Sequence, residues 1–195
     1  MKRLFDIVVS AAGLIVLSPL LLLTAAMIKL TSRGPVLFRQ QRVGRGFQPF
    51  HICKFRTMVP DAQTKGGQLT AGNDARITRV GGLLRKLKID ELPQLINVFR
   101  GEMSFVGPRP EVPRYVEMFR DEYQQLLTVR PGITDLASLK YRHESEILGM
   151  ATDPEATYVQ VILPDKIRLG KEYILRQSLM LDLGLIARTV LRMAY

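Results

Sequence analysis

The longest apolar stretch of the chain runs from Ile7 to Ile28, 22 residues without a charged side chain. About 20 such residues suffice to cross a bilayer, and a buried helix normally keeps a polar face that this stretch lacks. Ser18-Pro19 stands in its middle. Because Pro19 has no N–H and its ring clashes with the carbonyl of Ile15, a break is expected there. Each arm, roughly 15–18 Å long, reaches about halfway through the hydrocarbon core.

Basic residues flank this stretch on both sides. Lys2 and Arg3 precede it, and five more basic residues follow it between positions 29 and 45. Because positive residues prefer the cytoplasmic side, a helix-break-helix that enters and leaves by one face satisfies both flanks. We therefore predict a re-entrant membrane anchor over residues 1–32 and a compact cytoplasmic domain over residues 33–195. A single span with a proline kink remains the alternative.

Beyond the anchor, the pattern predicts a mainly α fold with one small β-hairpin, of the α+β class. Val36–Gln41 and Gln48–Thr57 alternate apolar and polar residues around Gly44-Arg45-Gly46, which is typical of a hairpin. Residues 60–74 are rich in loop formers, and Pro131-Gly132 predicts a turn. Helical spacing covers 75–87, 92–99, 113–127, 165–176 and 178–193. The last helix is strongly apolar and is expected against the membrane.

Charge and composition narrow the classes of function. The net charge is +10, and the first 60 residues hold nine basic residues against one acidic residue. A basic stripe suits nucleic acid, anionic lipid or phosphorylated substrates, and the apolar N-terminus favours lipid. One cysteine, Cys53, and two histidines exclude a disulfide scaffold and any multi-cysteine zinc site.

The densest candidate chemistry is the pair Asp90-Glu91, which precedes a predicted helix with Pro93 in its first turn. The partial positive charge of a helix N-terminus favours an ionised Asp90, which could act as a nucleophile or bind a divalent cation. The simpler alternative is structural. In it Asp90 caps the helix and Glu91 is a favourable acid of the first turn.

Several cations strengthen the chemical interpretation. Lys54 and Arg56 stand two apart on a predicted strand and so share a face, and Arg85 precedes the acidic pair. Arg109 lies between two prolines, which restrict its backbone and favour a preset phosphate contact. Each alone is more simply a solvated charge or a rigid turn. Together with the anchor they indicate an enzyme that acts on phosphates at a bilayer.

The chain resembles the bacterial sugar transferases, small monotopic polyprenol-phosphate phosphoglycosyl transferases, over nearly its whole length. The shorter matching blocks are Arg3-Leu4-Phe5-Asp6, Ser18-Pro19, Pro35-Val36-Leu37-Phe38, Gln41-Arg42-Val43-Gly44 and Lys54-Phe55-Arg56-Thr57-Met58. The most specific are Asp90-Glu91-Leu92-Pro93-Gln94-Leu95-Ile96-Asn97-Val98, Gly101-Glu102-Met103-Ser104-Phe105-Val106-Gly107-Pro108-Arg109-Pro110 and Arg130-Pro131-Gly132-Ile133-Thr134.

The resemblance implies transfer of a sugar-1-phosphate from a nucleoside-diphosphate sugar to polyprenol (undecaprenyl) phosphate, with release of a nucleoside monophosphate. It implies that Asp90 attacks the β-phosphate and holds a covalent phosphosugar, and that Mg²⁺ binds near Asp90 and the diphosphate. It also implies that Glu91 assists, by positioning or by deprotonating the acceptor. The cations implied to contact substrate are Lys54, Arg56, Arg85, Arg109 and Arg142.

The same resemblance implies a place and partners. The enzyme would begin membrane-bound glycan assembly, such as that of an exopolysaccharide, at the cytoplasmic face of the bacterial inner membrane. Anionic membrane lipid is an expected partner, nucleic acid is not, and a homodimer is left open. Two rival functions stay open as well. These are a non-catalytic membrane-anchored scaffold and a basic nucleic-acid-binding protein.

One block departs from the family pattern. After Pro-Gly-Ile-Thr the family commonly continues with Gly-Trp-Ala-Gln, whereas this chain has Asp135-Leu136-Ala137-Ser138 and no tryptophan at all. If the aromatic ring holds the nucleotide or sugar in the family, recognition differs here. The sequence leaves the sugar and the base undetermined.

Overall fold

The chain begins with a broken helix in this computed structural model, which describes residues 2–62, 67, 69–72 and 74–194. Helix α1 (Lys2–Val16) and helix α2 (Ser18–Thr31) meet at an angle of 61°. Pro19 cannot donate to the carbonyl of Ile15, and the Ser18 hydroxyl donates to that carbonyl instead, at 2.7 Å. The predicted helix-break-helix and the position of its break are confirmed.

The broken pair carries much of the exposed apolar surface. No single described helix is both long enough and apolar enough to cross a bilayer, whereas α1 and α2 together meet that criterion as a bent pair. Leu22 and Leu30 are 71% and 86% exposed. One face of α1 is covered, because α1 packs against the domain beyond residue 32, where Gly13 comes close to the Leu95 side chain.

The remaining elements form a mainly helical domain with two small sheets. The strands are β1 (Leu37–Val43), β2 (Pro49–Phe55), β3 (Ser104–Val106) and β4 (Gly132–Thr134). The helices are α3 (Arg79–Lys86), α4 (Gln94–Arg100), α5 (Pro113–Met118), α6 (Arg120–Leu126), α7 (Leu136–Lys140), α8 (Glu144–Met150), α9 (Pro154–Thr157), α10 (Leu163–Arg176) and α11 (Leu179–Ala194). The prediction of an α+β chain dominated by helices is confirmed.

The predicted hairpin is confirmed and is the larger of the two sheets. Strands β1 and β2 pair antiparallel from Leu37↔Phe55 to Val43↔Pro49, joined by a single 3₁₀ turn. Phe50 and Ile52 of β2 are buried against Val98 of α4. The hairpin therefore packs against α4, the helix that follows the acidic pair.

The second sheet was missed by the sequence pattern. Strands β3 and β4 pair in parallel, with Ser104↔Gly132 and Val106↔Thr134. The predicted turn at Pro131-Gly132 is wrong, since Gly132 begins β4. A Cβ on Gly132 would lie 2.1 Å from the Gly107 nitrogen, so the two backbones approach more closely than any side chain would permit.

Two predicted helices differ in extent from the prediction. The segment 75–87 is helical only from Arg79, because the Thr78 side chain accepts the N–H of Gly81 and caps α3. The segment 113–127 divides into α5 and α6 at Phe119, whose backbone is not helical. Helices α10 and α11 match the two predicted closing helices.

The predicted loop over 60–74 lies partly outside the described residues, since positions 63–66, 68 and 73 are not described. Its described residues form turns and bends without helix or strand. Arg76 holds this segment from its edge. It pairs with Asp74 at 2.6 Å and donates to the carbonyls of Ala62, Gly67 and Leu69.

Candidate active site

The predicted site residues lie along one open cleft of about 2210 Å³. The hairpin, the segment between α3 and α4, the turn after β3, and the segment joining α7 to α8 contribute to its walls. The cleft is lined by all seven residues singled out from the sequence, namely Lys54, Arg56, Arg85, Asp90, Glu91, Arg109 and Arg142. Fold and topology thus bring together positions up to 88 residues apart in the chain.

The acidic pair lies on a 3₁₀ turn, Ile89–Glu91, and not on a helix. Lys88 precedes it in the left-handed region, with φ of 56°, and this redirects the chain after α3. Helix α4 begins only at Gln94, and its N-terminus has no side-chain cap. The alternative in which Asp90 caps this helix is therefore wrong, because a turn separates the carboxylate from the helix.

Asp90 is 8% exposed, and its Oδ1 is buried without a hydrogen-bond partner among the described residues. Burial, together with repulsion from Glu91, raises the pKa of the Asp90 carboxyl above its usual range, and Lys54 only partly opposes this. The expectation that the helix N-terminus favours the ionised form is wrong in direction. The helix starts four residues later, and desolvation dominates.

Glu91 is held by two cations. Its Oε1 lies 2.8 Å from Lys54 Nζ and 2.6 Å from Arg109 Nη2. Burial would raise the pKa of Glu91, but Arg109 and Lys54 outweigh it and keep that pKa well below its usual range. Glu91 raises the pKa of Arg109 in turn. Burial lowers the pKa of Lys54, with Glu91 opposing. Two neighbouring carboxyls thus carry opposite perturbations, a pattern typical of sites with divided acid–base roles.

The turn that carries Arg109 is fixed from two sides. The Arg109 N–H donates to Asp135 Oδ2 at 3.1 Å, and Asp135 Oδ1 accepts the Ser138 N–H at 2.6 Å as the N-cap of α7. From the hairpin, Arg42 donates to the carbonyl of Pro110 at 3.0 Å. Asp135, where the family pattern has glycine, therefore supports the Arg109 turn.

Arg56 is placed differently from the other cations. The residue is 6% exposed, and its guanidinium donates to the carbonyls of Ser32 and Arg33, at 3.0 and 2.6 Å, just beyond the end of α2. Gly34 makes room for it, because a Cβ there would lie 2.1 Å from Nη1. Arg56 joins the end of α2 to the end of β2, and its expected contact with phosphate stays a prediction.

Arg85 and Arg142 line the cleft on separate segments. Arg85 donates its Nε–H to Thr57 Oγ1 at 2.8 Å. Burial lowers the pKa of Arg85, while Asp90 and Asp74 oppose that shift by attraction. Arg142 lies between α7 and α8 with an exposed side chain. Their proposed roles as substrate contacts stay predictions.

A second cluster of polar side chains in the cleft was not predicted from the sequence. Glu111 accepts hydrogen bonds from Tyr158 at 2.6 Å and from Arg42 at 3.1 Å, and Lys166 pairs with Glu144. Arg42 lies in one of the blocks that resemble the family, and this was the one sequence signal that could have pointed to the cluster. Glu111 lies in the segment between β3 and α5, and the other three come from helical segments without a recognisable motif.

A model of the bacterial sugar transferase family matches residues 1–195 of the chain. The chain is 41% identical over 192 residues to a UDP-N-acetylgalactosamine-undecaprenyl-phosphate N-acetylgalactosaminephosphotransferase of Aeromonas hydrophila, covering 97% of this chain and 42% of that protein. UDP-glucose:undecaprenyl-phosphate glucose-1-phosphate transferases of Klebsiella pneumoniae and Caulobacter vibrioides are each 41% identical too. The chain spans 39% of the first and 68% of the second. These matches run through both the anchor and the cleft, and the chain belongs to the bacterial sugar transferase family.

Proposed function

We propose that the chain transfers a sugar-1-phosphate from a UDP-sugar to undecaprenyl phosphate and releases UMP. The observation that carries the proposal is Asp90. Its carboxylate is buried, and its Oδ1 has no hydrogen-bond partner among the described residues. The neighbouring Glu91 is the carboxylate that pairs with Lys54 and Arg109. The reactions named for the relatives support this substrate pair. The sugar remains open, since those relatives differ in it.

In the first step a carboxylate oxygen of Asp90 attacks the β-phosphorus of the UDP-sugar. The bond from that phosphorus to the bridging oxygen breaks, and UMP leaves with the electron pair. In the second step a phosphate oxygen of undecaprenyl phosphate attacks the same phosphorus and displaces the Asp90 carboxylate, yielding undecaprenyl-diphosphate sugar. The covalent intermediate lets one cleft serve two phosphorylated substrates in turn.

The neighbouring residues set the electrostatics of this exchange. Because Glu91 is strongly acidic and paired twice, we assign it to holding Lys54 and Arg109, not to removing a proton. Lys54 and Arg109 then face the diphosphate with their positions fixed, which favours charge-assisted contacts. Arg85 and Arg142 supply further cations along the same cleft.

Mg²⁺ fits this arrangement as a partner of the substrate. The described residues include no cluster of three or more His, Cys, Asp and Glu side chains that could hold a metal alone. Mg²⁺ commonly binds through one or two carboxylates plus phosphates and water, and the orphaned oxygen of Asp90 supplies one such ligand. When bound, the ion would neutralise charge as the phosphoanhydride breaks.

We propose that α1 and α2 form a re-entrant anchor at the cytoplasmic face of the bacterial inner membrane. The 61° bend, the basic flanks and the exposed apolar residues support it. Such an anchor holds the cleft at the depth of the acceptor's phosphate, while the polyprenol tail stays in the bilayer. Anionic lipid would bind the exposed basic residues at the end of α2, Lys29 and Arg33.

The topology is tested by cysteine labelling in intact cells, in a Cys53→Ala background. We compare Leu4→Cys, at the start of α1, with Met118→Cys in the domain, using a membrane-impermeant maleimide. A re-entrant anchor leaves both sites unlabelled until the membrane is permeabilised. Labelling of Leu4→Cys from outside would support the single span instead.

The chemistry is tested with Asp90→Asn and the matched surface variant Asp121→Asn. Purified protein receives Mg²⁺ and UDP-glucose or UDP-N-acetylgalactosamine, with or without undecaprenyl phosphate, and UMP release is measured. We expect Asp90→Asn to lose at least about 10³-fold in rate and to form no phosphosugar adduct, with Asp121→Asn unchanged. Retained turnover, or an adduct mapped by mass spectrometry to another side chain, would refute the mechanism and favour a scaffold.

A further inference from the structure

The first turn of α1 is joined to the interior by charged side chains. Lys2 Nζ donates to the carbonyl of Val106 at 2.9 Å and to the Tyr173 hydroxyl at 2.7 Å, and it pairs with Asp182 at 2.5 Å. All three of its protons are thereby used. Tyr173 also donates to Asp182 at 2.7 Å. Lys2 therefore links the end of β3 to α10 and α11.

Asp6, one turn further along α1, contacts the same strand. It is 2% exposed, and its Oδ1 accepts from the Ser104 hydroxyl at 3.2 Å and from the Phe105 N–H at 3.3 Å. Burying a carboxylate is costly unless hydrogen bonds compensate, so this position is well specified. On its other side β3 pairs with β4. Strand β3 is thus fixed between β4 and the anchor.

Arg3 contacts a different element. Its guanidinium donates to the carbonyls of Val98 and Phe99, at 2.6 and 2.9 Å, in the last turn of α4. Gly101 ends that helix with φ of 86°, and a Cβ there would lie 3.0 Å from Arg3. Helix α4 begins three residues after Glu91, so Arg3 holds the far end of the helix that follows the acidic turn.

These contacts of α1 and the Glu91–Arg109 ion pair connect the same two segments of the cleft wall, the Arg109 turn and the Asp90-Glu91 turn, and so form a closed circuit. Strand β3 leads in three residues to Arg109, and α4 starts three residues after Glu91. The Glu91–Arg109 ion pair joins the two segments on the cleft side, and α1 joins them on the opposite side of the circuit.

We propose that Lys2, Arg3 and Asp6 are positioning residues for the reaction, which set the placement of the Arg109 turn relative to the Asp90-Glu91 turn. The anchor's first turn is then part of the framework of the active site as well as an attachment to the membrane. This inference rests on the proposed function. Because small displacements of reacting groups have large kinetic effects, loosening this turn should act on rate more than on binding.

The test compares Lys2→Met with the conservative Lys2→Arg and with Lys171→Met. The last variant removes Lys171 of α10 from its ion pair with Glu122 of α6, which is not among the partners of Lys2. We measure the kcat and KM for UMP release and the fraction of enzyme that forms the phosphosugar in a single turnover. We expect Lys2→Met to lower kcat by about 10–100-fold, with KM within threefold and full adduct stoichiometry. Lys2→Arg should recover most of the rate, and Lys171→Met should match the wild type.

Asp182→Asn is the second variant, because it weakens the same contact without removing Lys2. It should lower kcat in the same direction while the adduct stoichiometry stays full. An unchanged kcat in both variants, or a rate that falls only in proportion to the adduct-forming fraction, would overturn the inference. A wild-type chain that releases no UMP would refute the proposed function itself, whereas an active wild type with unimpaired variants refutes only the positioning role.

Discussion

At the scale of single residues, the surroundings shift the pKa values of two adjacent carboxyls in opposite directions. Lys54 and Arg109 both pair with Glu91, so Glu91 is stabilised as an anion. Asp90 Oδ1 is buried beside it with no hydrogen-bond partner in the described part of the chain, and burial raises the pKa of Asp90. A desolvated carboxylate without fixed partners suits attack on phosphorus, and a doubly paired one suits a fixed framework.

Asp90 should therefore cost stability when it is ionised. Its folded-state pKa lies above the ordinary 3.8, so the cost is present at pH 7 and disappears as the pH falls towards 3.8. We expect Asp90→Asn to raise the free energy of unfolding at pH 7 by about 1 kcal/mol, a shift in Tm of about 2–4 °C. Thermal unfolding in detergent against pH checks this, with Asp121→Asn as control. A lower Tm for Asp90→Asn at pH 7 would contradict it.

Glu91 should behave in the opposite way. Its folded-state pKa is far below the ordinary 4.5, so its contribution is complete above pH 4.5 and is lost as the pH falls through the lowered value. Glu91→Gln leaves Lys54 and Arg109 without their shared anion, and we expect a loss of about 3 kcal/mol at pH 7. That loss should shrink below pH 4.5. Glu117→Gln, from an exposed pair with Arg120, should change stability by less than about 0.5 kcal/mol. A constant difference from pH 7 to pH 3 would count against this account of Glu91.

At the scale of elements, structure that depends on neighbouring residues could be predicted, whereas the pairing of strands far apart in the chain could not. The Ser18-Pro19 break and the hairpin follow from residues close together in the chain. Strands β3 and β4 have three residues each and pair across 28 positions, so neither shows a periodicity that a window could detect. The 3₁₀ turn at Asp90 was likewise hidden, because its left-handed entry falls on Lys88, a residue without that preference.

The contact between α3 and the segment that follows β2 offers a test of element packing. A Cβ on Gly81 would lie 2.0 Å from the Thr57 carbonyl oxygen, whereas a Cβ on Gly82 meets only Ile77, at 4.0 Å. We expect Gly81→Ala to cost about 2 kcal/mol and to reduce transferase activity, because α3 must move and carries Arg85 with it. Gly82→Ala should be neutral or gain up to about 1 kcal/mol. The free energy of unfolding of both variants is measured by chemical denaturation. Equal values for Gly81→Ala and Gly82→Ala would show that α3 tolerates displacement.

At the scale of the whole molecule, the seven residues singled out from the sequence all line the cleft, but the sequence did not indicate which of them pair with each other. Lys54 and Arg109 converge on Glu91, whereas Arg56 serves the end of α2. Such pairings depend on the relative placement of the anchor, the hairpin and the β3 turn, and no single segment encodes them. The contacts of Lys2 and Asp6 were hidden for the same reason, since their partners lie about 100 and more residues away.

At the same scale, helix α11 offers a second surface for the proposed contact with the bilayer. Helix α11 buries Leu185 against β3 and α10, while Met180 is 80% exposed and Leu191 is exposed near its end. If α1 and α2 form the proposed anchor, an uncovered apolar face on the same domain favours contact with the membrane surface. Because the chain has no tryptophan, a single substitution reports its own environment. We expect Met180→Trp in vesicles to be quenched by brominated acyl chains, as Leu22→Trp in α2 should be, and to be shielded from acrylamide. Quenching of Met180→Trp by acrylamide alone would show that α11 faces water and that α1 and α2 carry the attachment without it.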